Sequence, residues 1–363
     1  MTVRSQEKVF DLTINRGTFA PDGFKRDMFL INGQFPGPLI SATKGDTLVL
    51  NIKNDLDEDT SIHSHGMFQR GTPWYDGVPG QGIPAGKSFT YKYQVCQSGT
   101  FWYHSHSKVQ YAEGIIGPLV VYDPDDPYIN NYDDEIVVQL HDWFHTDAKI
   151  LLAKLLTPES RGFGPIPDSV MLHWNSSNLF KESDTELDLL ILRIEVEGMV
   201  IKPYKVNRLP INVAQRYSVI VKADKSVDSY WMRAEIETQC FPIQNPILDP
   251  MVKAIATYEG SSKQTPVSTA WNDKVTDCVD LDPNKLEPYY SQHVPDADTT
   301  INLFVNFRRD EKNITMGFIN NSTYVSDLKY PTIYKVLDGV TQFALTDNVF
   351  LIEQIQVVDV LIL

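Results

Sequence analysis

The sequence has few cysteines, little positive charge and no long hydrophobic segment. Three cysteines among 363 residues, without a Cys-x-x-Cys pair, exclude a disulfide-rich scaffold and a cysteine-based zinc module. The 47 acidic residues outnumber 32 basic ones, and the net charge of −15 argues against binding to nucleic acid or to an anionic membrane surface. No apolar run approaches the roughly 18 residues of a membrane-spanning helix. The remaining class is a globular protein of two or three domains.

The pairing of the three cysteines stays open at the level of sequence. Cys240 and Cys278 are the candidate disulfide, which leaves Cys96 over. Free buried thiols are an equally good interpretation, because three cysteines define no disulfide framework.

The localisation signals point in two directions. The first residues, Met1–Glu7, lack the apolar core of a signal peptide. Asn-x-Ser/Thr glycosylation acceptors nevertheless occur at Asn175, Asn313, Asn320 and Asn321. Their clustering favours a secreted or cell-surface glycoprotein whose leader is absent from this sequence, and unused acceptors are the alternative.

Alternation of apolar and polar residues dominates the chain and indicates strands with one buried face. The clearest examples lie at residues 48–53, 88–95, 217–221 and 301–307. Only the segment Asp147–Leu156 has the pattern of a helix, which Pro158 ends. Short strands between Gly, Pro and Asn turns predict an all-β protein built of β-sandwiches.

Two breaks divide the chain into three predicted domains. Asp123–Pro127 has the composition of a linker, and the stretch Gly260–Thr299 is rich in Asp, Pro and Ser. The predicted domains are therefore 1–124, 125–265 and 290–363. The last is shorter than the roughly 100 residues of a complete sandwich. Because the chain stops in the apolar run Val357–Leu363, we expect it to be truncated.

Two His-x-His pairs carry the strongest chemical signal: His63 with His65, and His104 with His106. Side chains two positions apart on a strand point the same way, so each pair presents two imidazoles on one face. Imidazole is a ligand for copper, zinc, iron and nickel. One such pair alone is more often two ordinary strand histidines. Two pairs on strands of one predicted sandwich favour a metal site, although composition does not name the metal.

Asp76 lies between the two pairs, within the segment Trp74–Gly80. Turn formation is the ordinary role of Asp-Gly followed by Pro-Gly. Beside four imidazoles, the Asp76 carboxylate is also a candidate for orienting a ligand or passing a proton to a metal-bound oxygen. The other four histidines are interpreted as structural or as isolated satisfied or exposed side chains: His141, His145, His173 and His293.

Many segments resemble the multicopper oxidases, a family that includes laccases, ascorbate oxidases and ferroxidases. The similar segments are Asn32–Pro38, Ile62–Gly66, Asp76–Pro79, Gly99–His106 and Tyr111–Pro118 for the first domain, Asp142–His145, Pro165–Ser169 and Val213–Val219 for the second, and Asn320–Tyr324 with Pro331–Thr332 for the third. The resemblance spans nearly the whole chain and is most specific at the histidine motifs. It implies tandem cupredoxin-like Greek-key β-sandwiches, the third one incomplete, with the character of fungal laccase-like and ferroxidase-like members.

The resemblance also implies copper and assigns the ligands. His63 would bind the type 2 copper and His65 a type 3 copper, while His104 and His106 would bind type 3 coppers. Asp76 would hydrogen-bond water near this trinuclear cluster. The implied activity couples one-electron oxidation of phenols, related donors or Fe(II) to the reduction of dioxygen to water.

Two departures from the family limit that inference. The motifs His-Pro-x-His-x-His and His-Cys-His, which supply the other cluster histidines and the type 1 copper ligands, do not occur in these 363 residues. The segment Leu190–Met199 runs on without the hairpin that the family has after the position of Ile194. The chain therefore carries half of the cluster ligands and no type 1 site.

The sequence predicts a multicopper-oxidase-like copper oxidoreductase that is inactive as this chain. Its partners would be dioxygen and a small reducing substrate or Fe(II), without nucleic acid. Three alternatives remain open. The chain is a non-catalytic copper-binding protein, the non-functional product of a truncated gene, or a partial subunit that another chain completes.

Overall fold

The structure is a computed structural model that describes residues 5–75, 82–174, 191–223, 225–262, 265–267, 278–327, 329–352 and 356–363. The strands of the first part are β1 (Glu7–Phe19), β2 (Arg26–Ile31), β3 (Ile40–Thr43), β4 (Thr47–Asn54), β5 (His63–His65), β6 (Ser88–Gln94), β7 (Gly99–His104) and β8 (Ile116–Tyr122). The next elements are β9 (Val138–Trp143), α1 (Ala148–Leu155), β10 (Ser169–Trp174), β11 (Ile191–Val196), β12 (Met199–Val206), β13 (Tyr217–Val221), β14 (Ser229–Glu235) and β15 (Met251–Thr257). The last are β16 (Thr299–Leu303), β17 (Val305–Arg309), β18 (Thr315–Ile319), α2 (Thr332–Leu337) and β19 (Val358–Ile362).

The first eight strands form two four-stranded sheets. One sheet has the order β2-β1-β4-β6 and the other the order β3-β8-β7-β5. The apolar members of the alternating segment 48–53 point inward, since Leu48, Leu50 and Ile52 are almost fully buried. Burying these side chains removes apolar area from water, which is the main stabilising contribution to such a core. The described residues are mostly strand, which confirms the prediction of an all-β chain.

Seven further strands follow in smaller sheets: β9 pairs with β10, β11 lies between β12 and β13, and β14 pairs with β15. Strand β11 has a bulge between Arg193 and Glu195. The turn to β12 uses Glu197 and Gly198, both with positive φ, which is the backbone that a two-residue hairpin requires. Strands β11 and β12 thus form a hairpin that turns at Glu197 and Gly198.

The predicted helix is confirmed as α1. Asp147 caps it, because its carboxylate accepts a hydrogen bond from the backbone N–H of Lys149 at 2.7 Å. The expectation of a single helix is wrong, since α2 also forms. The alternating segment 301–307 is not one strand either: β16 pairs with β19 and β17 pairs with β18. Phe307 is 76% exposed, so alternation there does not mark a buried face.

The described chain divides into two units. One comprises Met1–Arg70, Ile83–His145 and Ile166–Tyr290, and the other comprises Gly71–Gly82, Thr146–Pro165 and Ser291–Leu363. The three predicted domains, 1–124, 125–265 and 290–363, stay a prediction. No helix in the described part of the chain is long and apolar enough to span a bilayer.

Cys240 and Cys278 form a disulfide, as predicted, so this alternative is preferred over free thiols. Cys96 is a free cysteine and is exposed.

Candidate metal centre

Two short antiparallel strands place the histidine pairs side by side. In the β5–β7 register, His63 lies opposite His104, and His65 lies opposite Trp102. Directly opposite residues of an antiparallel pair project from the same face of the sheet. One face therefore carries the side chains of His63, His65, Trp102 and His104. His106 follows β7 by two residues and joins the group from beyond the strand end.

The four imidazoles form one cluster. The ring centroids lie 4.0 Å apart for His63 and His106, 5.1 Å for His63 and His104, and 5.0 Å for His104 and His106. His65 lies 5.4 Å from both His63 and His104 by the same measure. One nitrogen from each of His63, His104 and His106 lies within 4.8 Å of the other two. Three imidazole nitrogens so close together can share one metal ion or bridge neighbouring ions.

Hydrogen bonds orient the His104 ring. Its Nδ1 lies 3.0 Å from the carbonyl oxygen of Ser105, so Nδ1 carries the hydrogen and Nε2 carries the lone pair. The Nε2 atom lies 3.2 Å from Nδ1 of His65. The lone pair therefore points into the cluster rather than toward the backbone. Trp102 stacks on the His104 ring at a centroid distance of 4.1 Å and fixes its plane.

Burial keeps two of the imidazoles neutral. Burial, followed by the positive charges of Arg216 and His106, lowers the pKa of His65 to about 4. Burial also lowers the pKa of His104 to about 4, although its hydrogen bond to Ser105 opposes the shift. Neutral imidazole is the form that binds a metal ion. His63 and His104 are each 7% exposed, whereas His106 lies at the surface, so the cluster has a buried side and an open side.

A network of polar side chains connects the two segments that carry the histidines. The Gln110 side-chain oxygen accepts hydrogen bonds from the hydroxyls of Thr60 and Ser105, both at 2.8 Å. The Gln110 amide nitrogen donates to the Asp59 carbonyl at 2.9 Å, and Ser61 Oγ accepts from the His106 backbone N–H at 3.2 Å. This network ties the loop before β5 to the residues that follow β7.

Sequence reasoning missed Gln110 and Thr60. Gln110 is fully buried and holds both histidine-bearing segments. The one signal in the sequence was its place immediately before Tyr111–Pro118, a segment that carries the family resemblance. Nothing in the local pattern marks Thr60, because its role depends on a contact 50 residues away.

The remaining predicted site residues fall outside the cluster. Asp76 lies outside the described residues, so its predicted role stays a prediction. His145 has a structural environment: its Nε2 lies 2.7 Å from Oδ2 of Asp22, and its ring stacks on Phe24. His293 is exposed. His141 and His173 were expected to be isolated, and this is wrong, because their ring centroids lie 5.2 Å apart.

Comparison with known proteins identifies related sequences. Two sequence profiles described as Multicopper oxidase match residues 13–126 and 191–261. A laccase of Trametes hirsuta is 35% identical over 91% of this chain and 68% of its own length, and laccase-4 of Trametes villosa is 34% identical over 93% and 69%.

Solved structures of multicopper oxidases superpose on this chain, which confirms the predicted cupredoxin-like fold. The Botrytis aclada laccase superposes with a TM-score of 0.80 and 28% identity, covering 95% of this chain and 69% of that one. Fet3p, a multicopper oxidase that functions in iron import, gives a TM-score of 0.78 and 25% identity, covering 91% and 66%.

Proposed function

The chain belongs to the multicopper oxidase family, and we propose that His63, His65, His104 and His106 bind copper ions in its first sandwich. The proposal follows the type 2 and type 3 assignments that the resemblance implies: His63 for the type 2 ion, and the other three histidines for the type 3 ions. The observation that carries it is the approach of nitrogens from His63, His104 and His106 to within 4.8 Å of one another.

The donor set fits copper. All four side chains are imidazoles, which suit copper in both of its common oxidation states. His65 and His104 are neutral because of burial, so binding need not displace a proton from them near neutral pH. The Ser105 carbonyl holds the His104 ring, so its Nε2 lone pair faces the cluster, and Gln110 in turn accepts a hydrogen bond from the Ser105 hydroxyl.

We assign the chain to copper-dependent oxidoreduction, for which copper held by the four histidines would supply one-electron chemistry toward dioxygen. The proposed donors are phenols, related small reductants or Fe(II). The chain's own residues would hold the ions in place on the buried side and leave the His106 side open to solvent. For Asp76 we propose the role that the resemblance implies, which is to hydrogen-bond water near the copper ions and pass a proton.

We propose that the type 1 copper site, which would take electrons from the reducing substrate, is not formed by residues 1–363. A type 1 site needs a cysteine thiolate with two histidines. Cys240 and Cys278 are joined to each other, and Cys96 is exposed. The sequence contains no His-Cys-His motif. By themselves, these residues would bind copper without turning over, which makes a non-catalytic copper-binding protein the second candidate.

We also propose a secreted or cell-surface glycoprotein. The Cys240–Cys278 disulfide suits an oxidising compartment. The acceptor residues Asn313, Asn320 and Asn321 are all exposed. A mass measurement of the native protein before and after enzymatic deglycosylation tests this, and an unchanged mass would refute it.

Copper counting tests the proposed site. The chain would be loaded with Cu(II), dialysed and analysed for metal, beside a His63→Gln/His104→Gln variant and a His293→Gln control. We expect the wild type and the control to retain copper and the double variant to lose most of it. Equal retention by all three would refute the site. Oxidation of a phenolic dye with consumption of dioxygen by the wild type would refute the proposed lack of turnover.

A further inference from the structure

A second histidine pair lies on strands β9 and β10. The antiparallel register places Met171 opposite His141 and His173 two residues further along β10. Residues opposite each other and two apart share a face of the sheet. The side chains of His141, Met171 and His173 therefore project together, on the face that also carries Trp143. Phe35 packs against this face, with its ring 5.4 Å from His141 and 5.3 Å from His173.

The two imidazoles face each other with their polar atoms unpaired. Their ring centroids lie 5.2 Å apart, with an interplanar angle of 76°. Both Nε2 atoms are buried, and neither has a hydrogen-bond partner among the residues that the structure describes. A buried polar atom without a partner destabilises the folded state, because it has lost its hydrogen bonds to water. Two such atoms on facing rings indicate a shared ligand that would satisfy both.

The surroundings specify the kind of ligand. Met171 is 4% exposed and packs with Phe35 and Trp143 in one apolar cluster, so the site offers a soft thioether beside two imidazoles. Asp142 alternates to the other face of β9 and contributes no carboxylate. The Arg26 guanidinium lies 5.0 Å from the Trp143 ring, and its charge is paired with Glu113.

We propose that His141 and His173 bind one copper(I) ion through their Nε2 atoms, in a site separate from the four-histidine cluster. Thioether and imidazole donors in apolar surroundings favour Cu(I). Zinc prefers four ligands in a tetrahedron and hard divalent ions prefer oxygen, and the site supplies neither set. A single positive charge also agrees best with apolar surroundings in which the described residues around the two rings offer no free carboxylate.

The His141 and His173 imidazoles are in the neutral form that binds a metal ion. Burial and the neighbouring charge of His173 lower the pKa of His141 to about 3, and burial lowers the pKa of His173. Both imidazoles are therefore neutral near pH 7 and present lone pairs.

Anaerobic titration with Cu(I), in competition with the chromophoric chelator bicinchoninate, tests the proposal. The experiment uses the His63→Gln/His104→Gln chain, in which the first cluster is disabled. We expect this chain to bind a single Cu(I) ion, and expect His141→Leu/His173→Leu added to it to abolish that binding. His293→Leu in the same background is the matched control and should keep the ion.

Two results would overturn the proposal: no Cu(I) uptake by the His63→Gln/His104→Gln chain, or unchanged uptake after His141→Leu/His173→Leu. Circular dichroism would check that each variant is folded. Should the double leucine variant not fold, X-ray absorption of the Cu(I)-loaded His63→Gln/His104→Gln chain decides. Scattering from two imidazoles per copper supports the site, and scattering without imidazole refutes it.

Discussion

At the scale of single residues, burial determines the chemistry of the histidines. His104 is buried and His65 is partly buried, and the loss of water around each ring disfavours the charged imidazolium. The burial that keeps these imidazoles ready to bind a metal ion also makes the folded state less stable in acid. The reason is that the same side chains are protonated freely in the unfolded chain. Their function and their effect on stability thus have one physical origin.

This origin predicts the pH dependence of stability for the copper-free chain. The folded pKa of both histidines is about 4, below the unfolded value of about 6.5. Between these values the unfolded state binds more protons, so the free energy of unfolding should fall as the pH drops from 6.5 to 4. Urea denaturation at several pH values measures this. In His65→Gln/His104→Gln the slope should be shallower, and an unchanged slope would contradict the explanation.

Gln110 gives a second residue-scale prediction. Gln110→Leu removes the acceptor of the Thr60 and Ser105 hydroxyls, leaving both buried without it. The free energy of unfolding should fall by roughly 1–3 kcal/mol, and copper affinity should fall with it because the histidine segments lose their brace. Gln94→Leu, at an exposed position on β6, is the control and should change neither quantity. Copper binding as tight as in the wild type would show that the network has no positioning role.

At the scale of elements, the close packing of β7 against β8 sets the position of the histidines. Tyr103 lies opposite Gly117 in the register and is fully buried. Its hydroxyl donates to the Pro38 carbonyl at 2.7 Å. Glycine at 117 makes room for the ring, because a Cβ there would lie 2.3 Å from Tyr103 Cζ. Since Tyr103 precedes His104, a shift of this ring would displace the cluster.

Gly117→Ala should therefore destabilise the chain by about 2 kcal/mol, through overpacking of a core that has no spare volume. Gly164→Ala is the matched control, because a Cβ at that position meets nothing within 4 Å. Denaturant unfolding of both variants measures the difference. If Gly117→Ala were as stable as Gly164→Ala, the Tyr103 ring would not be held as described.

At the scale of the whole molecule, the Cys240–Cys278 disulfide joins residues 38 positions apart. A cross-link of this span restricts the unfolded ensemble more than the folded one. Cys240→Ser/Cys278→Ser should lower the free energy of unfolding by about 3 kcal/mol. Cys96→Ser should leave it nearly unchanged, because that thiol is exposed. Equal stability of the double variant and the wild type would contradict a stabilising role.

The sequence was sufficient wherever the signal is local. Three predictions depend only on neighbouring residues and agree with the structure: the strand alternation at Leu48–Ile52, the helix within Asp147–Leu156 and the shared strand of His63 and His65. The same holds for the resemblance, which rests on short contiguous segments.

Other features depend on contacts between residues far apart in the sequence, which the local sequence pattern does not predict. Gln110 acts on residues up to 51 positions away, and His141 meets His173 only because β9 pairs with β10. Strands β16 and β17 separate because each finds a different partner, although the alternation runs through both. Helix α2 was missed because six residues are too few to establish a helical period.

Electron paramagnetic resonance of the Cu(II)-loaded chain tests the central claim, that the four histidines bind copper without a type 1 site. We predict nitrogen superhyperfine splitting from imidazole ligands, lost in His63→Gln/His104→Gln, and no copper–thiolate signal. A spectrum that the double variant leaves unchanged would show that copper binds elsewhere. A signal of the blue thiolate type would show that residues 1–363 carry a type 1 site after all.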